Sequence, residues 1–273
     1  MRNIVYLLVF LLCCACSKPD RLTILHTNDT HSQIEPKADN RGGYARRMGL
    51  IQREREIDKH LILVDAGDFC QGTPYFNYYK GRIEVDAMNK MGYDVVALGN
   101  HEFDNGIDTL AAILQNAHFD VVCANYDMRG TALEAMVKPY TIIRRGGMKI
   151  GVFGIGCNPE GLISDKNFQP ITFSPPYPVA QQMADTLRAQ NCDIVVCLSH
   201  LGTFGKSPYD YNDSTMVATT RGIDVVIGGH THQIYDNLRI ANIDGHTIPV
   251  CQMGKSGVNL GKIVLNITDK IAK

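Results

Sequence analysis

Two stretches of the chain set groups with metal-binding chemistry one residue apart. In "IGGHTHQ", His230 and His232 follow the apolar run "DVVI"; in "LTILHTNDTHS", Asp29 and His31 follow a second apolar run. Three further runs end the same way. "LILVDAGD" closes on Asp68, "DVVALGNH" on Asn100 and His101, and "DIVVCLSH" on His200. Five of the nine histidines therefore stand at the ends of apolar runs, beside two aspartates and an asparagine. Imidazole, carboxylate and amide oxygen together suit borderline divalent metals such as zinc, manganese, iron or cobalt. The donors outnumber what one tetrahedral ion takes, so two adjacent ions are expected. Two cations side by side need a shared anionic ligand, and Asp68 is the candidate bridge. Gly67, Gly99 and Gly229 beside these donors allow the backbone a close approach.

The positioning elements are legible in the same runs. They are rich in valine, isoleucine and leucine and do not alternate with polar residues, the pattern of strands buried on both faces. Helical stretches lie between them, among them "GYARRMGLIQREREIDKH", "GRIEVDAMNKMG" and "PYPVAQQMADTLRAQN". Strand and helix in alternation predict an α/β fold. "YTIIRRGGMKIGVFG" reads as a hairpin turning at Gly146–Gly147, so the sheet content is mixed, and "IPVCQM" and "KIVLNIT" read as two further strands. In such sheets ligands bind beyond the carboxyl ends of strands, where these donors fall. His60, His118 and His246 fall in loops, and His26 reads as a hydrogen-bonded strand residue.

The ordered motifs "DTH", "GD", "GNHEFD", "SH" and "GGHTH" resemble the calcineurin-like metallophosphoesterases. The longer strings "ILHTNDTHSQIEP", "AGDFCQGTPYFNYYKG" and "LGNHEFDNG" are similar to the 5′-nucleotidase branch. The resemblance implies a four-layer α/β/β/α sandwich of two mixed sheets. It implies that Asp29, His31, Asp68 and His232 hold one metal and Asp68, Asn100, His200 and His230 the other. It assigns His101 to transition-state stabilisation or leaving-group protonation, with Asp104 orienting its imidazole; a plain helix cap is the alternative for Asp104. Glu102 holds the loop by hydrogen bonding. The expected reaction is hydrolysis of nucleoside monophosphates or related small phosphate esters. A cyclic-nucleotide or nucleotide-sugar phosphodiesterase, a sulfate-ester hydrolase, and a non-catalytic surface module binding metal or nucleotide would use the same donors. The His101–Asp104 pair beside a complete donor set favours catalysis.

Residues 1–16, "MRNIVYLLVFLLCCAC", read as an export signal of the lipoprotein type, with Cys16 as the lipid-bearing residue and residues 17–273 as the catalytic domain. The expected location is outside the cytoplasm, anchored to a bacterial membrane. Of nine cysteines, three belong to that segment; the other six form no C-x-x-C pair and read as core thiols. With 45% apolar residues, 20% charged residues and a net charge of −1, the chain offers no basic surface for nucleic acid. Arg46 and Arg47 read as a solvated helix face. Family 5′-nucleotidases carry a second domain that grips the nucleoside; the expectation is that a separate chain supplies it, or that this chain is less selective.

Overall fold

The computed structural model describes residues 21–205 and 210–266; the segment read as an export signal lies outside them. In chain order the strands are β1 (Arg21–Thr27), β2 (Ile62–Asp65), β3 (Val95–Ala97), β4 (Asp120–Val122), β5 (Tyr126–Asp127), β6 (Val137–Lys138) and β7 (Tyr140–Arg145). They continue with β8 (Met148–Ile155), β9 (Thr172–Phe173), β10 (Ile194–Ser199), β11 (Val225–Gly228), β12 (Ile234–Ala241), β13 (Thr247–Met253) and β14 (Gly261–Asn266). The helices are α1 (Tyr44–Ile57), α2 (Pro74–Tyr79), α3 (Arg82–Met91), α4 (Ile107–Leu114), α5 (Asp165–Phe168), α6 (Pro176–Ala189) and α7 (Asp213–Thr219).

One six-stranded sheet has the order β14-β1-β2-β3-β4-β6, the other β12-β13-β11-β10-β8-β7. The inner strands run parallel, while β14, β12 and β7 pair antiparallel at the edges. Both sheets are therefore mixed. β7 and β8 meet in a two-residue hairpin whose Gly146 and Gly147 both have positive φ, 58° and 77°, the backbone that a tight hairpin turn requires.

Neighbouring residues of each inner strand serve opposite layers. Ile24, Val64, Val95 and Val122 meet Ile150, Val196, Leu198 and Ile227 between the sheets. Leu25, Leu63, Val96 and Val121 pack outward on Ile51, Val85, Met88 and Leu110 of α1, α3 and α4. Across the sandwich, Phe153, Val195 and Val226 pack on Ala184 and Leu187 of α6 and Met216 of α7. This double burial explains why the strands read as unbroken apolar runs. Each such side chain contributes roughly 1.5–3 kcal/mol before chain entropy is counted. The result is the expected α/β/β/α sandwich.

Two local readings need correction. Arg47 is only 3% exposed, not solvated: it shares the inward stripe of α1 with Tyr44 and Ile51, its guanidinium lies over the Tyr44 ring, and it donates to the Gly257 carbonyl at 3.2 Å. The helical period puts positions 44, 47 and 51 on one face. His26 lies in β1 as expected, but neither ring nitrogen has a hydrogen-bond partner; it points between the sheets. All six described cysteines are free and buried. Among the described residues, no helix is long and apolar enough to cross a membrane.

Candidate metal centre

The donors sit on loops that leave β1, β2, β3, β10 and β11 at their carboxyl ends, so both sheets contribute. Five of them, Asp29, His31, Asp68, His230 and His232, have φ between 44° and 73°. Asp and His enter this left-handed region more readily than most residues, but each instance still carries strain that the surroundings must sustain. The surroundings here are specific. The Asp29 carboxylate accepts from Asn28 Nδ2 at 2.6 Å and from the His230 backbone N–H at 3.0 Å, which ties the β1 loop to the β11 loop. Asn28 is held in turn by Met253 N–H and the Gly254 carbonyl.

Asp29, His31, Asp68 and His232 bring one ligand atom each to within 4.8 Å of one another. His31 Nε2 lies 3.8 Å from Asp29 Oδ1 and from Asp68 Oδ2, and His232 Nε2 is 3.3 Å from Asp29 Oδ1. On the other side of Asp68, His200 Nε2 approaches Oδ2 to 3.0 Å, and His230 Nδ1 stands 3.2 Å from Asn100 Oδ1. Asp68 thus faces both groups.

The donor chemistry fits divalent metal. His31 Nδ1 faces the Gln71 amide oxygen at 3.2 Å and His200 Nδ1 faces the Ala66 carbonyl at 2.7 Å. Each acceptor fixes a proton on Nδ1 and turns Nε2 inward as the atom that would be offered to a metal. His31 Nε2 and His232 Nε2 lie only 3.1 Å apart. His200 Nε2 is buried without a hydrogen bond, its approach to Asp68 having the distance but not the direction of one. Converging lone pairs and carboxylates make an electron-rich hollow that a divalent cation satisfies.

Protonation follows the same logic. Burial pushes the His31 imidazole down to about 4, with Lys255 adding to the effect and Asp68 and Asp29 opposing it. Burial and the neighbouring His200 hold His230 down at about 4. For His200 burial works in the same direction, but the Asp68 carboxylate outweighs it and raises the imidazole to about 10. Asp68 is held below the usual carboxylate range, since His200 overcomes the effect of its burial. As a pair these two groups neutralise each other, and a cation held between them would take the place of the proton.

Beside the donors, His101 Nδ1 is 2.9 Å from Asp104 Oδ2. The cap of α4 is Gly106, so Asp104 does not serve there. Burial would lower the His101 imidazole, but the hydrogen bond to Asp104 and the Asp68 charge leave it raised. Glu102 is buried and accepts three backbone N–H groups, from Asp68 at 2.9 Å, Gly99 at 2.6 Å and Cys70 at 3.1 Å. It fastens the β2 loop to the β3 loop. Gly99 has no room for a side chain: a Cβ there would collide with Asp68 Oδ1 and stand 2.7 Å from His200 Nε2. The reading from sequence missed Lys255, whose turn is docked by the Ser256 N–H on the Asp29 carbonyl at 2.7 Å. The signal available was a lone cation between glycines in "GKSG" just after a strand.

Fold and donor set together define the class of α/β metallophosphoesterases. The chain belongs to the calcineurin-like phosphoesterase family, which matches residues 22–234. It is similar to the snake venom 5′-nucleotidase of Naja atra, 33% identical over 277 aligned residues that cover 91% of this chain and 51% of that protein. Among solved structures it is similar to the 5′-nucleotidase precursor from Thermus thermophilus, with a TM-score of 0.79 and 32% identity over 90% of this chain and 51% of that one. It also resembles the NAD nucleotidase of Haemophilus influenzae, with a TM-score of 0.79 and 26% identity over 89% of this chain and 47% of that one. The chain spans about half the length of the curated relatives it matches.

Proposed function

We propose that this protein is a phosphomonoesterase of the 5′-nucleotidase type, releasing phosphate from nucleoside monophosphates at a centre of two divalent ions. The observation that carries the reading is the convergence of two donor groups on one carboxylate, Asp68, with the His101–Asp104 pair alongside. Asp29, His31, Asp68 and His232 would hold one ion, and Asp68, Asn100, His200 and His230 the other; zinc, manganese, iron and cobalt all suit these donors. Bound there, such ions supply Lewis acidity, acidifying water and neutralising charge on the phosphoryl oxygens.

The chain's own residues do the rest. Glu102 sets the spacing of the Asp68 and Asn100 loops through its three N–H contacts. Asp104 holds the proton of His101 on Nδ1 and leaves Nε2 to face the substrate. With its pKa raised, the imidazole keeps a larger protonated share at neutral pH, which suits it to give a proton to the departing ester oxygen. The apolar segment before Cys16 supports export and a lipid anchor at that cysteine, followed by a catalytic domain over residues 17–273.

The test strips the protein of metal, reloads it with manganese or zinc, and follows phosphate release from AMP, a cyclic nucleotide, a sugar phosphate and an aryl phosphate. Hydrolysis of monoesters with two ions bound per chain is the expected result. Turnover confined to the cyclic nucleotide, or a single ion per active chain, would overturn it.

A further inference from the structure

The turn at residues 254–257 follows β13 and is tied to the donor loops. Gly254 donates its N–H to the Gln233 carbonyl at 2.8 Å, next to His232, and its own carbonyl accepts from Asn28 Nδ2 at 2.9 Å. Ser256 donates to the Asp29 carbonyl at 2.7 Å, and the buried Arg47 reaches the Gly257 carbonyl at 3.2 Å. Gly254, Ser256 and Gly257 have φ of 79°, 63° and 56°. For Ser256 that backbone carries strain, which persists only where the surroundings impose it. Within this fixed turn Lys255 alone is exposed. Among the described residues it forms no ion pair, Asp29 and Asp68 being taken up by imidazoles. Its charge still acts on the cluster: burial lowers the His31 imidazole most, and the Lys255 ammonium lowers it further.

We infer that Lys255 is a specificity-determining residue: its ammonium pairs with an anionic oxygen of the phosphoester at the donors and favours esters of two negative charges over esters of one. The inference rests on the phosphomonoesterase reading, which puts such an anion there. A lysine that merely balanced Asp29 and Asp68 would be redundant once divalent ions bind. Two carboxylates do not cancel two such ions, and the ammonium would then oppose them. A cation held in place beside a cationic centre has an anion to serve. Lysine suits that task as a compact point charge with three rotatable donors. A phosphate monoester carries about −1.5 to −2 charge at pH 7 and a diester a single charge, so attraction to the ammonium separates the two. The rigid turn matters because a cation on a wandering loop would lose much of this attraction to chain entropy.

The test pairs two esters of one leaving group, p-nitrophenyl phosphate and bis(p-nitrophenyl) phosphate, on the manganese-loaded full chain. In Lys255→Met, kcat/KM for the monoester is expected to fall roughly tenfold, chiefly through KM, in line with one hydrogen bond to a charged group. The diester is expected to lose about threefold or less, as its smaller charge requires. Lys255→Arg, which keeps the charge, is expected to restore both. Inorganic phosphate supplies a readout without turnover. Its Kd, measured by calorimetry on the manganese-loaded protein, is expected to rise roughly tenfold in Lys255→Met while metal content stays the same. Equal losses on the two esters, loss of metal, or an unchanged phosphate Kd would each overturn the role of Lys255, even in a protein that hydrolyses the monoester well. If the wild-type protein hydrolyses neither ester yet binds phosphate through Lys255, the catalytic reading fails and the anion site stands.

Discussion

His26 and His200 are both wholly buried, and both carry a ring nitrogen without a hydrogen bond. They belong to different regions. His26 lies in the apolar layer between the sheets, and its ring fills the room left by Gly261 on the paired strand, where a Cβ would collide with it. Burial alone pushes it down to about 4, so it is a neutral packing group. His200 stands at the strand ends with Asp68 at 3.0 Å and is raised to about 10. An orphaned nitrogen is therefore not the mark of a site. An orphaned nitrogen that faces a carboxylate and further lone pairs is.

The comparison breaks most readily at Asp68. In Asp68→Asn, the shared donor loses its charge. Metal content should fall and phosphate release should drop by more than about 10⁴-fold, beyond what one acid–base group supplies; elemental analysis beside a phosphate assay reads both. A variant that kept two ions and its rate would leave Asp68 no special place. His101→Ala should retain the ions while kcat falls roughly 10²–10⁴-fold. Loss of metal in that variant would move His101 from proton donor to ligand.

Gly99→Ala touches no donor but forces a Cβ against Asp68 and His200. Metal affinity should weaken by roughly 10–100-fold, as when a supporting contact is lost, and a chelator titration would measure it. The last effect touches stability alone and concerns the packing histidine. The unfolded chain takes up a proton near pH 6.5, whereas folded His26 refuses it until about pH 4. Its contribution is complete above pH 6.5 and is lost as pH falls toward 4, by about 3 kcal/mol. His26→Leu should flatten the denaturation profile of the metal-free protein by that amount, and an unchanged slope would show that His26 is protonated in the fold.

The parts of this molecule that sequence reveals are those where one physical rule dominates. Double burial writes β1, β2, β10 and β11 as unbroken apolar runs, and a polar residue at the end of such a run is conspicuous. Strand β12, "IYDNLRIA", follows a different rule: it is an edge strand, mostly exposed, with polar residues at three of its eight positions. Nothing in it announces pairing with β13. Helix α7 is only seven residues long and is held by the Asn212 side chain on Thr215 N–H, a capping signal without a long amphipathic stripe behind it. Arg47 looks solvated because charge argues for water, yet helical phase places it inward. Lys255 carries no motif; only the path of the chain brings its loop to the donors.

The donors come from both sheets, and what separates those sheets is a single apolar layer. That layer works as a shim. Ile24 and Val64 on one side and Leu198 and Ile227 on the other set the gap across which Asp68 meets His200 and Asp29 meets His230. Thinning the shim would detune the centre from beneath, with every polar residue still in place. The tolerance of catalysis is thus written partly in aliphatic side chains that never see the substrate.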